Sequence, residues 1–390
     1  MLFSFAVILL TGLALGGVLQ KLRLPGLLGM IITGIALGPY ALNLIAPEIL
    51  RVSADLRQIA LIVILTRAGL ALDIKDLKKV GRPAVLMCFV PATFELVTIT
   101  VFAPLLFGIT YLEAAIMGAV LAAVSPAVVV PRMLKMMESG YGIKKSIPQL
   151  IMAGASADDI YVIVLFTSFL GMYQGQGFDA ASLVKIPVSI GLGLLLGIAS
   201  GLLLAFLFKK VHMRDTVKVI LLFSIAFLFV SLEQATQDVI PVSGLLAVMA
   251  MGGTILKKHE ALAKRLSGKY SKIWVGAELL LFVLVGAAVD IRLVGSAGLT
   301  AIALVSIALV FRMMGVFVCL IKTKLSRKEK LFAAISYLPK ATVQAAIGGI
   351  PLAMGISAGN TILTVAVIAI MITAPLGAIG IDSTYKKLLK

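Results

Sequence analysis

Long apolar stretches dominate this sequence and restrict its fold more than any other feature. Thirteen of them are long enough, or nearly so, to cross a bilayer as a helix. They lie at about residues 2–20, 25–46, 56–72, 83–108, 112–134, 147–172, 182–208, 216–233, 240–256, 272–289, 294–321, 330–356 and 359–380. The chain is 61% hydrophobic and 14% charged, whereas about a quarter of the residues in a soluble domain are charged. The sequence therefore predicts an all-α polytopic membrane protein with thirteen transmembrane helices.

Basic residues are concentrated in alternate loops of this predicted bundle. One side holds most of the loop lysines and arginines, and the other holds only Arg51, Arg57, Lys185 and Arg292. The basic side of a membrane protein is the cytoplasmic side, so we expect an outer N-terminus and a cytoplasmic C-terminus. The net charge of +17 would point to nucleic acid in a soluble chain. Here it follows from topology, and no nucleic-acid partner is expected.

Similar short patterns recur about 215 residues apart in the two parts of the chain. Residues 69–75, Gly-Leu-Ala-Leu-Asp-Ile-Lys, resemble residues 286–292, Gly-Ala-Ala-Val-Asp-Ile-Arg, and Pro126 matches Pro339. The copies are seven spans apart, an odd number, so they face opposite ways across the membrane. Inverted repeats of this kind are typical of alternating-access transporters. The prediction is a first half at 1–172 (spans 1–6), a linking span at 182–208, and a second half at 216–380 (spans 8–13).

The matching prolines indicate that two helices break at the same depth. Proline removes one helix hydrogen bond and frees a carbonyl group, which membranes tolerate only beside protein or water. Simple proline kinks are the alternative explanation. The repeat and the adjacent Lys340 favour two broken helices that cross near the midplane and present carbonyls and helix ends to a cation. The predicted lining of the site is Ser125, Pro126, Ser156, Pro339, Thr342 and Gln344.

Two adjacent carboxylates, Asp158 and Asp159, lie inside an apolar span. A charge at the bilayer centre costs about 2.5–3.5 kcal/mol on insertion scales, so an intramembrane acid is a functional candidate. Structural carboxylates satisfied by a neighbouring helix are the alternative. Two neighbouring acids in a low-dielectric site cannot both ionise cheaply. We therefore expect a proton and a metal cation to compete for this pair.

Three further charges fall inside other spans. Lys340 follows the break of span twelve, and a buried ammonium needs a carboxylate partner. Asp158 and Asp159 are the candidates for that partner, one meeting the lysine while the other faces the ion path. Glu95 and Arg312 lie in spans that correspond in the repeat, and we expect them to form a buried, mainly structural ion pair.

These residues also carry a family resemblance. The motifs Ala-Ser-Ala-Asp-Asp at 155–159 and Leu-Pro-Lys-Ala-Thr-Val-Gln-Ala-Ala-Ile-Gly at 338–348 resemble the monovalent cation:proton antiporter superfamily, most closely the two-aspartate NHA-type Na⁺/H⁺ antiporters. The resemblance covers essentially the whole chain. It implies a six-helix core domain with two crossed broken helices, a separate dimerisation domain, homodimers and elevator motion. It also implies that Asp159 is the ligand of Na⁺ and that Asp158 pairs with Lys340 as the coupling lysine. Ser125 stands where many relatives have an aspartate.

The sequence therefore predicts a secondary transporter, not an enzyme, that exchanges Na⁺ or Li⁺ for H⁺ by alternating access. A sodium-coupled organic-solute symporter of the same fold is the alternative. An intramembrane aspartyl protease is a weaker one, because such an enzyme brings its two aspartates together from different helices. No Gly-x-x-x-x-Gly-Lys-Ser/Thr nucleotide motif is present, and no cofactor is expected. The expected location is a cell membrane, the inner one of a bacterium, with lipid as the surrounding partner.

Overall fold

The computed structural model describes residues 1–22, 24–71, 81–175, 180–236 and 242–389. Within these ranges the description leaves out the side chains of residues 156–157, 180–187, 234 and 293–297. Residues 72–80, which carry Asp73 and Lys75 of the predicted repeat, lie outside it.

The described chain folds into α-helices, with a short 3₁₀ turn at Ile143–Lys145. The helices are α1 Leu2–Lys21, α2 Gly26–Leu37, α3 Pro47–Arg51, α4 Ser53–Ala71, α5 Arg82–Met87, α6 Val90–Phe107, α7 Tyr111–Leu121, α8 Pro126–Glu138, α9 Ile147–Gln174, α10 Ala180–Lys210, α11 Asp215–Thr236, α12 Gly244–Lys258, α13 Glu260–Ala287, α14 Ile291–Cys319, α15 Arg327–Ser336, α16 Thr342–Ile347, α17 Ile350–Ala353 and α18 Gly359–Leu388.

Nine segments among the described residues are helical, long and apolar enough to cross a membrane. They confirm the all-helical polytopic fold, whereas the count of thirteen stays a prediction. Of the four remaining predicted spans, the one at 56–72 holds the 19-residue α4, which carries Asp55, Arg57 and Arg67, and the other three hold shorter helices. One of these is α2, which ends at Leu37, although the apolar stretch continues to residue 46. Gly38 and Pro39 follow Leu37, and proline disfavours helix for the residue before it.

Two helices are interrupted where the sequence predicts breaks. The first stops at Leu121 and resumes at Pro126, and the second stops at Ser336 and resumes at Thr342. Pro126 takes the first helical position of α8, where its missing N–H costs nothing. The two breaks touch, because the backbone N–H of Ser125 donates to the carbonyl of Pro339 at 2.8 Å. The predicted breaks and their meeting are confirmed.

The chain divides into two compact units. The first comprises Met1–Arg57, Asp73–Val162 and Leu279–Lys390, and the second comprises Gln58–Leu72 and Ile163–Glu278. Each unit combines segments from both predicted halves of the chain. Every residue predicted for the site belongs to the first unit.

Ion pairs and aromatic contacts join helix ends in the first unit. Lys145, just before α9, contacts Glu329 of α15 at 2.8 Å. Tyr141 packs edge-on against Tyr385 of α18, with ring centroids 5.1 Å apart. Burial alone would raise the pKa of Glu329, but hydrogen bonds from Lys145 and Ser326 outweigh it and hold that pKa below its usual range. These contacts fix the segment before α9 against α15, which leads into the second break, and against α18.

In the second unit, α10 approaches α12 along a row of glycines four residues apart. A Cβ atom at Gly193 would lie 2.6 Å from the carbonyl oxygen of Ser243, and one at Gly201 would lie 2.7 Å from Thr254 Cβ. Small residues at this spacing allow close backbone packing, which is how transmembrane helices associate when no hydrophobic force drives them together.

Candidate ion-binding site at the helix breaks

Glu95 of α6 is enclosed by two cationic side chains. Its carboxylate contacts Arg312 Nη1 at 2.7 Å and Lys340 Nζ at 2.6 Å. All three residues are at most 1% exposed. The predicted pairing of Glu95 with Arg312 is present in the structure. One carboxylate therefore neutralises part of the charge on two cations.

Arg312 of α14 connects Glu95 to both helix breaks. Its Nε donates to the carbonyl of Tyr337 at 2.7 Å, and its Nη1 donates to the carbonyl of Ala122. Its Nη2 contacts Asp158 Oδ2 at 3.1 Å. The rigid guanidinium fork presents five donors, and here they hold carbonyls that the two interrupted helices leave free.

Asp158 of α9 is the second carboxylate committed to this network. Besides Arg312, it accepts a hydrogen bond from the backbone N–H of Val124 at 3.0 Å. Both bonds go to the same oxygen, Oδ2, while Oδ1 has no hydrogen-bond partner among the described residues. Asp158 therefore anchors α9 to the first break and leaves one oxygen available.

Lys340 does not pair with Asp158 as predicted. Its ammonium lies against Glu95 and donates to the carbonyl of Leu121 at 2.6 Å, and its own backbone N–H donates to Thr373 Oγ1 at 3.0 Å. The physical reason is that Arg312 and Lys340 compete for the same acids. Arg312 forms the ion pair with Asp158, and Lys340 reaches the C-terminal end of α7, where Glu95 is its nearest carboxylate. No sequence pattern indicated Thr373 or these carbonyls as partners.

Asp159 differs from its neighbour because the described part of the chain offers it no ion pair. It is 7% exposed, and its Oδ1 has no hydrogen-bond partner there. Consecutive residues on a helix point about 100° apart. Asp158 and Asp159 therefore have different surroundings although they are adjacent in sequence.

Five of the buried side-chain oxygens that have no hydrogen-bond partner among the described residues belong to the two breaks and to the acidic pair of α9. They are Ser125 Oγ, Asp158 Oδ1, Asp159 Oδ1, Thr342 Oγ1 and Gln344 Oε1. The amide nitrogen of Gln344 donates hydrogen bonds to the carbonyls of Leu121 and Ala123. The amide oxygen of the same side chain therefore points to a place where the described residues offer it no donor. Carboxylate, hydroxyl and amide oxygens are the ligands that hard cations prefer. The side chain of Ser156 lies outside the described residues. The carbonyl of Pro339 accepts the hydrogen bond from Ser125, and Pro126 begins α8.

Residues 5–387 match the family model described as sodium/hydrogen exchanger, transmembrane. Human sodium/hydrogen exchanger 9B2 is 34% identical over 384 residues, covering 94% of this chain and 70% of that protein. Human sodium/hydrogen exchanger 9B1 is 31% identical over 409 residues, covering 100% and 78%.

The fold is also similar to that of a solved structure. The sodium proton antiporter MjNhaP1 from Methanocaldococcus jannaschii, at pH 8, superposes with a TM-score of 0.86 at 20% sequence identity, covering 99% of this chain and 97% of that one. At this identity the likeness shows the fold alone. The family match and the two human relatives extend across nearly the whole chain, and the chain accordingly belongs to the transmembrane sodium/hydrogen exchanger family, whose members are transporters and not enzymes.

Proposed function

We propose that this protein exchanges Na⁺ or Li⁺ for H⁺ and that both ions bind at Asp159. One observation carries the proposal. Glu95 and Asp158 are committed to Arg312 and Lys340, while Asp159 is a buried carboxylate without an ion pair in the described part of the chain. A buried carboxylate must be neutralised, and a proton or a small cation does so equally.

The charges of the cluster favour one-for-one exchange. Two acids, Glu95 and Asp158, balance two bases, Arg312 and Lys340. Asp159 then adds one negative charge, which H⁺ or Na⁺ cancels. On this scheme Lys340 stays with Glu95 through the cycle and is a positioning residue, in place of the coupling role that the resemblance implies.

The unpartnered oxygens provide a coordination set for the metal cation. Asp159 supplies charge, and Ser125, Thr342 and Gln344 supply neutral oxygens from the two breaks. In transporters with broken helices, unwound backbone and half-helix ends coordinate the coupling cation. The hypothesis is that H⁺ and Na⁺ exclude each other at Asp159, so that exposing the site alternately to the two sides produces exchange.

The alternative functions are less well supported. A sodium-coupled solute symporter of the same fold would bind sodium at these oxygens too, but the family match favours proton exchange. An aspartyl protease is disfavoured because Asp158 and Asp159 lie side by side on one helix, α9, and because Asp158 is engaged by Arg312.

The remaining architecture is proposed in the form the sequence indicates. It comprises thirteen spans related by an inverted repeat, a six-helix core domain that moves as an elevator, and a dimerisation domain that forms a homodimer within a lipid bilayer. The N-terminus is outside and the C-terminus cytoplasmic, and the inner membrane of a bacterium remains the predicted location.

Exchange can be tested with purified protein in proteoliposomes that contain a pH-sensitive dye. An inward sodium gradient is expected to alkalinise the lumen, and lithium is expected to substitute for sodium. The rate should stay the same when potassium and valinomycin clamp the membrane potential at zero, because no net charge moves. Empty liposomes are the control. Absence of any proton movement with alkali cations would contradict exchange, and a sodium-driven current would contradict the one-for-one scheme.

The orientation can be tested separately with reporters fused to the C-terminus. A fluorescent reporter that folds only in the cytoplasm is expected to be active, and an alkaline phosphatase that folds only outside is expected to be inactive, because basic loops stay on the cytoplasmic side. The opposite pair of results would show that the chain is inserted the other way round.

A further inference from the structure

Arg57, near the start of α4, is a buried cation that the proposed exchange does not use. It is 6% exposed. Its Nε donates to the carbonyl of Ser53 at 3.2 Å, while its Nη1 has no hydrogen-bond partner among the residues described. No carboxylate in that part of the chain forms an ion pair with it, although a buried charge without a partner costs several kcal/mol.

A second unpartnered group lies one helical turn away. The side chain of Ser53 is buried, and its hydroxyl also has no hydrogen-bond partner in the described chain. Residues four apart on a helix are neighbours on one face. Ser53 and Arg57 therefore place two hydrogen-bond donors side by side in the protein interior.

The guanidinium is packed against the junction of α16 and α17. A Cβ atom at Gly349 would overlap Arg57 Nη1, so the space beside the arginine depends on glycine at that position. Both residues belong to the first unit. The side chain is thus held in a defined place and is not free to reach solvent.

We propose that Arg57 and Ser53 bind a small monovalent anion, chloride being the probe of choice. Arginine presents donors and no acceptor, and the serine hydroxyl can turn its hydrogen towards an anion. One guanidinium charge is balanced by one negative charge, whereas a doubly charged phosphate would leave an excess. The bound anion would neutralise the guanidinium that packs between the start of α4 and the C-terminal end of α16. This place is separate from the proposed ion site at Asp159.

A simpler role is the competing explanation. Arg57 lies beyond the C-terminal end of α16, where a cation interacts favourably with the helix dipole. In that case the guanidinium alone stabilises the helix end, and chloride has no effect on the protein.

Chloride binding can be measured through thermal unfolding of the purified full-length protein in detergent. Sodium gluconate is replaced stepwise by sodium chloride at constant ionic strength, and unfolding is followed by the fluorescence of Trp274. The midpoint of the parent is expected to rise and saturate with chloride, since a ligand of the folded state stabilises it by mass action. Ser53→Ala should weaken the apparent chloride affinity about tenfold, the range for a lost hydrogen bond to a charged group.

Two further measurements make the test specific. Arg57→Gln should abolish the saturable rise, whereas Arg51→Gln, at the exposed last residue of the preceding helix α3, should retain it. In crystals grown with bromide, an anomalous peak is expected beside Arg57 Nη1. An identical midpoint of the parent in gluconate and chloride, or an unchanged chloride response in Ser53→Ala, overturns the proposal. Ser53→Ala keeps the test valid even if Arg57→Gln does not fold.

Discussion

Replacing Asp159 with asparagine is expected to reduce Na⁺/H⁺ exchange to the level of empty liposomes while the protein still folds. Asparagine preserves the shape of the side chain but can neither release a proton nor balance a bound cation. The substitution leaves no partner unpaired, because the described chain offers Asp159 no ion pair. It removes a buried charge, so the thermal midpoint should stay the same or rise.

The control for this substitution is Asp382→Asn, which removes a half-exposed carboxylate of the same unit, 3.2 Å from Arg132. It should exchange at the rate of the parent. Sodium should raise the thermal midpoint of the parent and of Asp382→Asn, because a ligand that binds the folded state stabilises it. It should not raise the midpoint of Asp159→Asn, which lacks the carboxylate proposed to bind sodium. Folded Asp159→Asn protein that exchanges ions near the rate of the parent would disprove the assignment.

The second large effect is expected for the buried network around Glu95. Replacing Glu95 or Arg312 alone with alanine should lower the free energy of unfolding by about 3–5 kcal/mol, because each change leaves buried charge uncompensated. Glu95→Ala should be the more severe change. Without Glu95, Asp158 is the one acid of this network left to balance the two cations Arg312 and Lys340. In Arg312→Ala, by contrast, Glu95 stays paired with Lys340.

A double-mutant cycle, measured by reversible unfolding in mixed detergent micelles, tests the contact. Removing both residues should cost less than the sum of the single losses, since neighbours in one network do not add. The surface pair of Arg132 and Asp382 is the control and should contribute only about 0–1 kcal/mol. Additive losses for Glu95 and Arg312 would show that the two side chains do not interact.

The helix breaks and the buried charged residues were predictable because each is recognisable from its immediate neighbours in the sequence. Pro126 and Pro339 interrupt apolar runs, and Asp158, Asp159 and Lys340 stand out from uncharged surroundings. Proline acts on its own helix through local hydrogen bonding and sterics. The cost of a buried charge likewise depends on its position in an apolar span. Neither effect requires knowledge of how the helices pack.

The partner of Lys340 was not predictable in the same way. Several acids lie within spans, among them Glu95, Asp158 and Asp159, and each of these could have satisfied one ammonium. The family resemblance implies Asp158, but Arg312 contacts that carboxylate at 3.1 Å, and Lys340 contacts Glu95. Which pair forms depends on the packing of α6, α9 and α14 around the breaks.

Sequence alone is enough to predict the class of this protein: apolar membrane helices, two of them broken, with acids and bases at the depth of the breaks. These properties follow from hydropathy, from proline and from charge, all of which act locally along the chain. Which acid lacks an ion pair among the described residues depends instead on how the helices pack in three dimensions. In this fold Arg312 and Lys340 engage Glu95 and Asp158, and Asp159 is left without an ion pair among the described residues. An ion pair forms only between side chains that lie within a few ångströms of each other, and the packing of the helices sets those distances.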